Sequence, residues 1–155
     1  MMKNAVLFFL FLGSIALSAQ STTIRNAYRE ATKSEEKANA FYQLVDEVSQ
    51  SDKAVMVAYK GAAKMLLARY EPLTKRKPKI KEAVEWIEKA VKADPDNAEI
   101  RLIRLSVQEN LPKFLGYNDN LDEDKKFVKE ALPNLKDKEL AEMIKGYFAE
   151  FSKRK

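Results

Sequence analysis

The stretch from Ser51 to Tyr70 reads SDKAVMVAYKGAAKMLLARY. On a helical projection Val55, Val57, Ala58, Gly61, Ala62, Met65, Leu66 and Ala68 wrap most of the circumference, and Lys53, Lys60 and Lys64 keep a narrow polar stripe. A helix apolar nearly all round is covered on most sides, so it belongs in the middle of a helical bundle. Gly61, Ala62 and Ala63 would let a neighbouring helix approach closely.

The flanking sequence supplies the neighbours. Apolar residues at helical spacing predict a short helix over 22–32, with Ile24, Ala27, Tyr28 and Ala31 on one face. A second is predicted from the N-cap Ser34 to Val48, with the stripe Ala38, Phe41, Leu44, Val45 and Val48. After the central helix, EPLTKRKPK (71–79) reads as a linker, because Pro72 and Pro78 interrupt the pattern. Ile80, Val84, Ile87 and Val91 then mark a seam over 79–93, and DPDN (94–97) reads as a turn and N-cap. Further helices are predicted over 98–111, from Asn120 to just before Pro133, and over 137–152. Glu85 with Lys89, and Glu88 with Lys92, are spaced for pairing along the seam helix. Nothing alternates at period two for long enough to make a strand. The fold class is therefore all-α, with about seven helices stacked as antiparallel hairpins in one domain over 20–155.

The first nineteen residues, MMKNAVLFFLFLGSIALSA, have the layout of a cleaved secretory signal: Lys3, an apolar run from Ala5 to Leu17, then Ala16, Ser18 and Ala19. The run is short for a membrane span of about 20 residues. No Cys follows it, so a lipoprotein anchor is excluded. The expectation is export to the periplasm or beyond, with no membrane segment in the mature chain. Removing the leader takes one Lys and no acid, which leaves a net charge of +4. An exported, mildly basic chain does not point to nucleic acid.

Composition narrows the chemistry. The 155 residues contain no Cys and no His. A thiolate nucleophile, the usual general base near neutral pH and the commonest metal ligands are all missing. No cofactor, no metal and no enzymatic activity are expected. A hydrolase built on carboxylates is the residual enzymatic alternative.

Residues 82–100, EAVEWIEKAVKADPDNAEI, carry Ala83 and Ala90 seven apart, Pro95 five later and Ile87 between the alanines. This resembles the second helix and closing turn of a tetratricopeptide repeat. The following helix departs from the pattern, offering Arg101, Arg104, Leu105 and Gln108 where the repeat has an aromatic, a Leu, a Gly and a Tyr. Most of the chain also resembles small exported proteins of Bacteroidetes-type bacteria. The first resemblance implies a stack of helical hairpins whose concave face binds a protein or peptide partner. The second implies no activity.

Arg101, Arg104 and Gln108 share one face of an otherwise apolar helix, so their polar ends need acceptors. One reading is a grip for a partner's carboxylate. The other is an internal ion pair with an acid of a neighbouring helix. The segment ENLPKFLGYNDNLDED (109–124) reads as a joint between helices. In it Gly116 is placed for a left-handed turn, Phe114, Leu115 and Tyr117 for covering the bundle end, and Asn120 with Glu123 for a capping box. Phe114 and Tyr117 join the arginines as candidate partner-binding residues. Asp122, Glu123 and Asp124 suit a helix start better than acid–base work. KRKPKIK (75–81) reads as a solvated linker, or as a contact for an anionic partner. Trp86 reads as inter-helix packing. A homo-oligomer formed through the aromatic C-terminal helix is the structural alternative to partner binding.

Overall fold

The computed structural model describes residues 20–153, and the leader read at 1–19 lies outside them. Among the described residues seven α-helices follow one another and there is no strand: α1 (20–30), α2 (Glu35–Gln43), α3 (Ala54–Ala68), α4 (Leu73–Ala93), α5 (Ala98–Asn110), α6 (Leu121–Ala131) and α7 (Lys138–Lys153). Short 3-10 turns, Lys113–Leu115 and Leu132–Asn134, lie on either side of α6.

Side-chain caps start several of these helices. The Ser34 side chain accepts from the Lys37 N–H, and Asn97 accepts from those of Glu99 and Ile100. Asp137 accepts from the Leu140 N–H at the head of α7. Each cap satisfies donors that a helix start leaves open.

The most extensive packing is between α3 and α4. Gly61 sets how near they come. A methyl added there would stand 2.6 Å from Ile87 Cγ1 and 3.0 Å from the Ala83 carbonyl oxygen. Ala62, Ala63, Ala83, Ile87 and Ala90 have no exposed surface, so the seam is closed by small residues around one Ile. The core around it continues through Phe41 and Val45 of the α2 segment and Ile100, Ile103 and Val107 of α5. Tyr28, Phe41 and Tyr59 meet there ring to ring, at centroid distances of 5.5–6.1 Å. A second, smaller apolar cluster gathers Leu102, Val128, Leu140, Met143 and Ile144 where α5, α6 and α7 meet.

Three expectations are corrected. The linker read at 71–79 is the opening of α4, which runs through Pro78. Proline costs about 3 kcal/mol in a helix interior, through a lost N–H and a clash with the carbonyl four residues back. Here that carbonyl belongs to Thr74, and Thr74 and Pro78 are both exposed. Water can take the orphaned acceptor, and Pro72, preceding the first helical residue, sets the entry.

The α2 helix stops at Gln43, and tighter i→i−3 bonds link Leu44 to Phe41, Val45 to Tyr42 and Val48 to Val45. The change of pitch swings Leu44 outward to 44% exposure, while Val45 stays buried. Lys60, read as part of a polar stripe, is only 4% exposed. Its ammonium donates to the Asp46 carbonyl at 2.7 Å and lies over the Tyr42 ring. The segment after α2 therefore folds across what is otherwise the open side of α3.

Two glycine substitutions separate packing from propensity. Gly61→Ala overfills the α3–α4 seam and should cost about 1–3 kcal/mol in chemical denaturation. A methyl at Gly146, inside α7, meets nothing within 4 Å. Gly146→Ala should raise stability by up to about 1 kcal/mol, from helix propensity alone.

Candidate functional site

The polar residues of α5 pair inward. Asp124 of α6 has no exposed surface. Arg104 grips it with both arms of its guanidinium, Nε to Oδ2 at 2.7 Å and Nη2 to Oδ1 at 2.8 Å. Arg101 Nη1 donates to the same carboxylate at 2.7 Å and to Glu123 at 2.8 Å, and its Nε donates to the Pro95 carbonyl. Glu88 of α4 completes the group, accepting from Arg104 at 3.2 Å and from the Tyr117 hydroxyl at 2.6 Å. The acceptors that Arg101 and Arg104 need are thus acids of neighbouring helices. Burial opposes the Arg104 charge, but Asp124 and Glu88 hold it above the ordinary arginine value. Glu123 is held below its ordinary value by its hydrogen bond from Arg101.

Gln108, 1% exposed, exchanges two hydrogen bonds with Asn120, one through the Asn120 backbone N–H and one through its side chain, both at 3.2 Å. This replaces the capping box expected at Asn120: its side chain accepts from Gln108 and donates to the Glu123 side chain at 3.3 Å, while Glu123 also accepts from Arg101, and neither side chain caps the backbone. Glu88 does not pair along its own helix with Lys92, because Arg104 and Tyr117 draw it across. Lys89 reaches Gln50 instead of Glu85. Gly116 takes the left-handed conformation, φ 70°, as the joint requires.

A second network escaped the sequence reading. Arg25 of α1, 5% exposed, donates to both oxygens of Glu99 at 2.8 and 2.7 Å and to Asp137 at 2.8 Å, and lies 3.2 Å from Glu139. The Tyr59 hydroxyl donates to Glu99 at 2.5 Å. Arg25 thereby ties α1 to α5 and to the start of α7. Its position gave a faint signal, one residue after Ile24 and three before Tyr28, at the edge of the apolar stripe. Glu99 holds the Arg25 charge firmly, and Arg25 lowers Asp137 against the opposing effect of burial. Among the described residues no group of three or more acids is placed to hold a metal ion.

A concavity lies elsewhere. A groove of about 1000 Å³ opens between α1, α3, α4, α5 and α7. Its floor is aliphatic: Ala62, Met65, Leu66, Ile80, Val107 and Met143. Arg29, Arg69, Arg76 and Lys77 also line it, and none of them forms a salt bridge among the described residues. Among the described residues Glu150 is the only acid along it. Leu73, 79% exposed, and Phe114, 87% exposed, also line it. Phe114 does not cover the bundle end as expected. The 3-10 turn before Gly116 carries it away from the core.

The five candidate residues therefore separate. Arg101, Arg104, Gln108 and Tyr117 form the α4–α5–α6 junction, and Phe114 belongs to the groove. Compared with protein-family models, curated proteins and solved structures, the chain matches none.

Two measurements probe the junction. Asp124→Ala takes the shared acceptor from the buried Arg104 and the half-buried Arg101 and should cost about 3–5 kcal/mol. Combining it with Arg104→Met should restore part of that loss, read in a double-mutant cycle.

The tyrosines give a pH signature. Burial pushes Tyr28 up to about 12, and it raises Tyr59 and Tyr117 as well, reinforced by Glu99 and Glu88 respectively. A raised acid stabilises the fold below its ordinary value of 10, and that contribution is lost as pH climbs through the native value. Ultraviolet titration of phenolate should show these three rings silent at pH 10, ionising only as the chain unfolds above it. On the acid side, the lowered Glu123 and Asp137 contribute fully above 4.5 and 3.8, and lose that contribution as pH falls below those values.

Proposed function

We propose that this chain is an exported, non-catalytic module that binds a protein or peptide in the groove between α1, α3, α4, α5 and α7. The observation that carries the reading is the contrast between two polar populations. The buried charges of α1 and α5 are satisfied by internal acids. Among the described residues the four cations of the groove have no acid partner, and they share its lining with aliphatic residues and with the exposed Leu73 and Phe114. Isolated exposed apolar residues are ordinary, but apolar surface gathered in a concavity marks a binding site.

The tetratricopeptide resemblance supports a protein- or peptide-binding role for a stack of helical hairpins. Gly61 against Ala83 and Ile87 is the kind of close helix approach such hairpins use. The leader sequence supports export, and no helix among the described residues is long and apolar enough to cross a membrane.

Selection from a displayed random-peptide library tests the binding reading. Peptides should enrich on the folded chain and be lost on a Leu73→Asp, Phe114→Asp variant, whose positions are exposed enough to leave the melting temperature unchanged. Absence of any enrichment sinks the reading. Terminal sequencing of the product exported from a bacterial host tests the address, with Ala19 or Gln20 expected first.

A further inference from the structure

Resting on that binding reading, we infer that the groove takes an amphipathic α-helix of a partner protein, with acidic side chains bordering its apolar face.

The first argument concerns backbone hydrogen bonds. An extended peptide brings one unsatisfied N–H and one C=O per residue, and burial without partners is costly. Four of the uncharged polar side chains that line the groove, Tyr28, Ser106, Asn110 and Tyr147, are already engaged within the chain. Ser106 donates to the Ile103 carbonyl and bonds the Tyr28 hydroxyl. Asn110 donates to the Ser106 carbonyl, and Tyr147 to Glu109. There is no strand among the described residues to extend. A helix satisfies its own backbone and needs only an apolar floor and rim charges.

Size agrees. A cylinder of helix diameter about 10 Å and of the groove's volume is roughly 13 Å long, a little over two turns at 5.4 Å per turn. Met65 and Met143 add adaptable contact surface, which suits a helix ridge.

Charge selects the flanks. Among the described residues Arg29 bonds Asn26, Arg69 the Thr32 carbonyl and Arg76 the Glu71 carbonyl, and none of the three is salt-bridged to an acid. Lys77 is exposed beside them. Four cations facing one acid favour a partner with several carboxylates over one with a single anionic group. Leu73 and Phe114, both largely exposed, add apolar surface to the lining.

The test uses labelled synthetic peptides of about four helical turns, sharing one leucine stripe and differing in their flanks. Binding to the purified chain is read by fluorescence anisotropy. The Glu-flanked peptide should bind at least about tenfold tighter than the Lys-flanked one, with affinity falling as salt rises. Arg76→Glu with Lys77→Glu should weaken it about tenfold, and Lys126→Glu, on the exposed face of α6, should leave it within about twofold. A central proline in the peptide should abolish binding. Equal binding of the acidic and basic peptides, or full binding of the proline version, overturns the inference. So does saturation of the groove by palmitate with no binding of the acidic helix. If the library yields groove-dependent binders while the Glu-flanked helix fails, the binding reading stands and the helical occupant falls. If the library yields none, both fall.

Discussion

A carboxylate with no exposed surface, Asp124, sits between two guanidinium groups of α5, and much of the fold answers to that arrangement. Removing a carboxylate and two guanidiniums from water is expensive, and the geometry must offset it with short, well-aligned bonds. It does so by drawing in Glu88 from α4, Glu123 from α6 and the Pro95 carbonyl ahead of α5. The α4–α5 turn, the α5 axis and the start of α6 therefore have one mutual placement that leaves no buried charge alone. Arg25 does the same for α1 and α7 through Glu99. Two separate ionic locks thus converge on α5, whose remaining surface feeds both apolar clusters.

That design explains what the outer surface is free to do. Because the buried charges are neutralised internally, they exert little net pull on a partner. The cations of the groove are different: they come from helix ends and the basic start of α4, and among the described residues none of them is salt-bridged to an acid. Pro78 bears on this directly. By remaining helical, the segment 73–79 holds Leu73, Arg76 and Lys77 on a rigid element alongside α3, whereas a flexible linker would let them scatter.

Much of the helical content was legible because long apolar stripes at period 3.6 leave few alternatives. The burial of α3 followed from its composition, and the small residues at Gly61 and Ala62 foretold a close neighbour. Misreadings cluster where local rules compete. Proline argues for a break, yet an exposed carbonyl near a helix start tolerates it. Leu44 fits a helical stripe, yet a shift to tighter turns moves it outward. Lys60 looks like surface, yet a loop carbonyl and an aromatic ring cover it. For the arginines the sequence defined the need for acceptors but not their source, because Asp124 is 20 residues away along the chain. The groove was invisible for a related reason: its walls come from five helices, and no local pattern records their meeting.

The division of the apolar core into two clusters has a mechanical consequence. Met143 and Tyr147, on one wall of the groove, belong to the smaller cluster, while Ala62, Met65 and Val107 belong to the larger. The groove therefore straddles the boundary between the two clusters, and an occupant seated in it would be gripped by both at once.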